Sequence, residues 1–262
     1  MNRYLNIKEC REILQKLIDD NFTIIRCQDW EQYKDRKDLK ICILRHDLDM
    51  SIDWGLELGA LEQEMGIHST FFVLHTRPYY REPDFILKCK QLQDMGHEVG
   101  LHFDTLSECI QNPTMTHKMI LDREIKYLRE NGIQIHGLAS HGGDYPPPKV
   151  VGYQIFKEFY LPNAPMKYHN IDLYTLNLAD LGLYEAYWIL RTAKFNYLSD
   201  CKGRALSSLI DQIKNVTAKD GRIICQLLLH PCNHTCNFVP PKSKFESESK
   251  SKKSEGKQYP HP

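Results

Sequence analysis

Apolar positions follow two different spacings along this chain, one helical and one strand-like, and the two alternate. Between Ile7 and Asp20, Leu14, Leu17 and Ile18 fall on one helical face, and Phe22-Thr-Ile-Ile-Arg26 then reads as a short strand. Lys40-Ile41-Cys42-Ile43-Leu44 is an apolar run of buried-strand length that ends abruptly in Arg45, His46, Asp47 and Asp49. Trp54, Leu58, Leu61 and Met65 return to helical spacing and stop at Gly66. Ser69–Leu74 is a strand of β-branched and aromatic residues, and Pro83 opens a helix running through Leu92 to Gly96. His97–His102 predicts the next strand, Met119–Asn131 the next helix, and Ile133–Ala139 another strand. Phe195–Leu198, a helix from about Leu206 to Val216, and the strand Arg222–Leu229 close the series. Residues 145–194 are rich in aromatics and show no clear period.

Repeated strand–helix units with apolar strands predict a parallel sheet covered on both faces. Roughly seven strands suit a closed or incompletely closed barrel better than an open dinucleotide-binding sheet. No Gly-x-Gly-x-x-Gly or Gly-Lys-Ser/Thr loop follows the early strands.

Charge and composition narrow the picture. Lys plus Arg and Asp plus Glu both number 34, so no basic excess points to nucleic acid. No apolar run approaches membrane-spanning length, and the N-terminus leads into a charged amphipathic segment instead of an apolar signal region. The 9 cysteines are an odd number, scattered, and partly inside strand-like runs (Cys42, Cys225), which predicts reduced structural thiols in a cytoplasmic protein. From Pro240 the chain is polar and charged, so residues 240–262 read as a disordered tail and 1–239 as one folded domain.

The chemistry gathers at strand ends. Asp47 and Asp49 are two apart and project to one side of extended backbone, so one carboxylate can hold a metal while the other moves a proton. The plainer reading is a loop in which Asp49 or Ser51 caps the following helix. His75, His102, His141, Asp200 and His230 end the other strands, and in a β/α barrel such groups converge above one mouth. Together they point to a metal-dependent hydrolase.

The segments Arg45-His-Asp-Leu-Asp49, Ser69-Thr-Phe-Phe-Val-Leu74, Met95-Gly-His-Glu-Val-Gly-Leu-His-Phe-Asp104, Ser140-His141, Tyr197-Leu-Ser-Asp200 with Gly203-Arg204, and Leu227-Leu-Leu-His-Pro231 carry a family likeness. In them the chain resembles the NodB-type polysaccharide deacetylases (carbohydrate esterase family 4 in the broad sense), in a branch whose first motif reads His-Asp-x-Asp. The resemblance implies an irregular (β/α)₇ barrel that removes acetyl groups from N-acetylated sugars with a divalent metal, usually zinc. It assigns Asp49 as the metal carboxylate, Asp47 as general base, His102 as a metal ligand and His230 as general acid. The commoner pattern has a second histidine four residues beyond His102, where this chain has Leu106. His141 is then the expected third ligand, with Asp104 as its competitor. Arg45 is expected to hold Asp47 ionised, Asp200 to orient His230, and Arg204 to anchor a charged substrate group or pair with Asp200. A backbone N–H just after Ser69–Leu74 is the expected oxyanion donor.

Other residues have plainer readings. His97 matches the structural histidine of the Gly-His-Glu motif, and His46, on the face opposite Asp47, is expected to pack and donate a hydrogen bond. His230-Pro-Cys-Asn-His-Thr-Cys236 has four ligand-type residues but no second arm for a structural zinc site. Tyr184, Tyr187 and Trp188 at helical spacing read as core more readily than as a sugar-stacking platform. A catalytically silent carbohydrate- or metal-binding barrel is the alternative to the hydrolase.

Overall fold

The computed structural model describes residues 5–142, 150–192, 195–200 and 206–231. The expected tail and Arg204 lie outside these residues, as do residues 232–236 of the compact Cys/His segment.

The strands are β1 (Phe22–Ile25), β2 (Lys40–Leu48), β3 (Thr70–Leu74), β4 (Glu98–Phe103), β5 (Gly137–Ser140), the hairpin β6 (Lys167–Tyr168) and β7 (Ile171–Asp172), then β8 (Tyr184–Glu185), β9 (Asn196–Ser199) and β10 (Ile223–Leu229). The helices are α1 (Ile7–Asp19), α2 (Trp30–Tyr33), α3 (Ile52–Glu64), α4 (Phe85–Asp94), α5 (Thr105–Gln111), α6 (His117–Glu130), α7 (Leu178–Leu181), α8 (Ala186–Thr192) and α9 (Leu206–Lys214). The main sheet is parallel and runs β8-β5-β4-β3-β2-β10-β9, with β1 paired to the first half of β2. Among the described residues β8 and β9 do not pair, so the curled sheet is open there.

Local chemistry explains the ends of the elements. Asn6 caps α1 by accepting from Lys8 and Glu9 N–H, and the Glu9 carboxylate accepts from the Asn6 N–H. Ser51 caps α3 by accepting the Asp53 N–H at 3.1 Å. That leaves Asp49 out of the capping role. Gly96 turns the chain into β4 at φ +91°, a conformation that costs a residue without Cβ little.

Strand alternation sorts the core into two layers. Leu44, Leu48, Phe71, Val73, Leu101 and Leu227 face outward beneath the helices. Ile41, Ile43, Phe72, Ala139 and Ile224 face inward. Inside the curl Gly100 and Gly137 leave room for the rings of Phe72 and Tyr184, which any Cβ there would overlap.

The outer layer also holds a buried polar chain. His46 Nε2 pairs with Glu62 Oε1 at 2.7 Å, Ser69 Oγ donates to Glu62 Oε2 at 2.6 Å, and the Ser69 N–H donates to His97 Nδ1 at 3.1 Å. His97 Nε2 completes it by donating to the Gly59 carbonyl at 2.9 Å. Both histidines therefore have the structural roles expected of them. Cys10, Cys27, Cys42, Cys89, Cys109 and Cys225 are buried thiols outside any disulfide.

Several expectations need correction. The strand expected from Ile133 begins only at Gly137, and a single turn of 3₁₀ helix (Pro78–Arg81) precedes α4, which starts at Phe85. The described part of the stretch without a clear period, residues 150–192, resolves into 3₁₀ turns, a hairpin, two short helices and β8. Tyr184 lies in β8, so it does not share a helix with Tyr187 and Trp188. No helix among the described residues is long and apolar enough to cross a membrane.

Buried histidines tie the fold to pH. His117, 3% exposed, bonds Thr105 Oγ1 through Nδ1 at 3.0 Å, and burial pulls its pKa down to about 4 from 6.5. A depressed histidine pKa gives stability that is complete above the unfolded value and lost as pH falls toward the folded one. Urea unfolding should therefore show the parent losing about 2 kcal/mol more than His117→Gln between pH 7 and pH 5. Equal losses would contradict this.

Candidate metal and catalytic site

Parallel pairing brings the polar strand ends to one level. Leu74 is the register partner of His102, and His102 of Ala139. Past the end of β2, the Asp49 N–H donates to the Asp47 carbonyl at 3.0 Å, a tight turn at the mouth of the curl. Asp47 and Asp49 both approach His102, whose Nε2 lies 3.6 Å from Asp47 Oδ2 and 3.3 Å from Asp49 Oδ1.

Asp49, His102 and His141 form a group whose ligand atoms lie within 4.8 Å of one another. His102 Nδ1 is 2.9 Å from the Ala139 carbonyl, an acceptor only, so Nδ1 carries the proton and the Nε2 lone pair faces Asp49. His141 Nδ1 is 3.4 Å from Asp104 Oδ2, and its Nε2 lies 4.0 Å from Asp49 Oδ1. Asp104 also caps α5, accepting the Ser107 N–H at 3.2 Å. Between the two candidates for third ligand, His141 completes the group and Asp104 supports it from behind.

The donor set fits a divalent cation. Asp49 Oδ1 is buried and makes no hydrogen bond among the described residues, a costly arrangement without a cation to receive it. One carboxylate and two imidazoles at tetrahedral zinc lie about 3.3 Å apart, which the observed separations approach. Burial disfavours charge on Asp49, but His102 first, then His141 and His230, outweigh it and hold the carboxyl below its ordinary range.

Asp47 and His230 flank this group. Asp47 is 2% exposed, its Oδ2 accepts from Arg45 Nη2 at 3.0 Å, and its buried Oδ1 has no hydrogen-bond partner among the described residues. His230 Nδ1 is 2.6 Å from Asp200 Oδ1, while the His230 N–H donates to Asp200 Oδ2 at 2.8 Å. Its Nε2 is 4.0 Å from Asp49 Oδ2. Burial works against the imidazolium, yet the Asp200 hydrogen bond and charge, with Asp49 and Asp47, raise it to about 10. A divalent cation beside it would bring that value down.

Arg45 is completely buried, so it orients Asp47 and cannot reach substrate. His75 stays outside the group: its Nε2 accepts the Asp104 N–H at 2.9 Å. Leu106 is buried in the outer core. The His75 N–H, the first after β3, donates to the His102 carbonyl at 3.3 Å, and the Arg77 N–H donates to Leu74. Thr76 is the remaining N–H of that stretch, exposed and without a partner among the described residues.

Two supporting residues escaped the sequence reading. Glu185, fully buried in β8, accepts from the Ser140 N–H at 3.1 Å and from the Tyr187 and Trp188 N–H groups at 2.7 and 3.0 Å. Burial pushes it up to about 7 against the Arg45 charge. The Tyr187 ring lies over the Arg45 guanidinium at 4.3 Å. The Tyr184 hydroxyl donates to Glu98 Oε1 at 2.7 Å, and Trp188 meets Phe159 edge-on. These aromatics are partly buried and pack against the core. The only advance signal for Glu185 was an acid set between the aromatics Tyr184 and Tyr187. Arg77, also missed, stands three residues beyond a strand that ends at the site.

No protein-family model matches this chain, and no curated protein matches it in sequence.

Proposed function

We propose that the chain is a metal-dependent amide hydrolase of the polysaccharide deacetylase type, built on an irregular (β/α) barrel and removing the acetyl group of an N-acetylated sugar. The observation that carries this reading is the meeting of Asp49, His102 and His141 between a carboxylate, Asp47, and a carboxylate-backed histidine, His230.

Asp49, His102 and His141 would hold the cation, zinc by family likeness. When bound, it supplies Lewis-acid polarisation and lowers the pKa of water. Asp47 Oδ1 accepts the proton of the attacking water, while Arg45 keeps the carboxylate from rotating. The Thr76 N–H, without a partner among the described residues, would donate to the carbonyl oxygen as it gains charge. His230 Nε2 protonates the departing amine, a poor leaving group otherwise, and Asp200 holds the ring through Nδ1. Asp104 plays the matching supporting part behind His141.

Chelator-treated protein restored with zinc should release acetate from N-acetylated sugars, monomeric or oligomeric, and the chelated protein should not. Zinc binding without acetate release from any of them would favour the silent barrel.

A further inference from the structure

Arg77 is placed differently from the other arginines near the site. Arg45, Arg81 and Arg123 each pair with a carboxylate: Asp47, Glu124 and Glu108. Arg77 is half-buried, its Nε is shut off from solvent, and no described residue pairs with it or hydrogen-bonds its side chain. Leaving a guanidinium donor buried and unpaired is costly, so the arrangement calls for a partner that arrives with a ligand.

The loop bearing it is fastened to the site. The Tyr79 hydroxyl donates to the carbonyl of Leu48, the residue before Asp49, and accepts the Leu74 N–H, both at 2.6 Å. The Arg77 N–H donates to Leu74 at 3.1 Å, the Tyr80 N–H returns to Arg77 at 3.1 Å, and Pro78 begins the 3₁₀ turn. Three residues beyond the register partner of His102, the guanidinium is thus held on a stiff loop at the rim. Its charge is felt at both His141 and Tyr79.

We infer that Arg77 is an anion anchor, and that the substrate carries a carboxylate or phosphate within a few bonds of its acetamido group. The planar fork of the guanidinium suits either group. The inference rests on the amide-hydrolase reading for what else the ligand contains.

The test is calorimetric titration of zinc-loaded protein, in the Asp47→Asn background to prevent turnover. The probes are N-acetylglucosamine, N-acetylglucosamine 1-phosphate and N-acetylmuramic acid. At least one anionic probe should bind about tenfold or more tightly than the neutral sugar. Arg77→Gln should erase that advantage, Arg77→Lys should keep part of it, and neither should lower the Tm, because the side chain has no partner to lose among the described residues. Comparison of the phosphate and carboxylate probes identifies the anion. Equal binding of neutral and anionic sugars, no binding of either anionic one, an advantage surviving Arg77→Gln, or a Tm collapse in that variant would each overturn the inference. Anion-favoured binding with no acetate release by the zinc-loaded parent would instead sink the hydrolase reading and leave the anchor standing.

Discussion

Zinc-loaded Asp47→Asn should lose about 10³-fold in kcat while binding zinc as the parent does. Asp47 donates nothing to the cation group, but its buried Oδ1 is the unoccupied acceptor beside it. Asparagine has the same shape and replaces an acceptor with an amide that cannot take a proton at neutral pH. Asp49→Ala should behave differently and lose zinc and turnover together, since it removes the only carboxylate of the group. Acetate release and zinc content measured on both variants separate the roles. Zinc loss in Asp47→Asn, or full turnover with zinc retained, would contradict the assignment.

Asp200→Asn should cost about 10²-fold in kcat, with a change in its pH dependence that a purely structural role would not produce. Asp200 grips His230 twice, at the ring Nδ1 and at the backbone N–H. The negative charge keeps the ring protonated, so the acid form persists to higher pH than in a free histidine. Without that charge the imidazolium gives up its proton earlier as pH rises, and the alkaline limb of kcat moves to lower pH. A pH–rate profile for Asp200→Asn with an unmoved alkaline limb would separate Asp200 from proton transfer.

Much of the site was legible because strand periodicity is local. Four apolar residues before Arg45 placed β2, and alternation alone put His46 in the outer core and Asp47 in the mouth. Family likeness, through the Gly-His-Glu motif, separated His97, bonded to Ser69 and Gly59, from His102. The choice between Asp104 and His141 as third ligand was open in the sequence; in space His141 falls within the group with Asp49 and His102, while Asp104 reaches the His141 ring and the start of α5. Residues 150–192 resisted reading because their elements are too short to show a period. β8 is two residues, and Glu185 in it acts through backbone N–H groups that leave no mark on side-chain pattern. Arg77 could not be singled out because whether an arginine finds a carboxylate is a tertiary fact, and Arg77 finds none among the described residues.

X-ray absorption at the zinc edge of the reconstituted full-length chain addresses the metal centre itself. One zinc per chain, with two imidazoles and oxygen donors and no sulfur, and with an imidazole signal that drops in both His102→Ala and His141→Ala, is the predicted result. Sulfur ligation, or a spectrum unchanged by either substitution, would place any bound zinc elsewhere and dissolve the site.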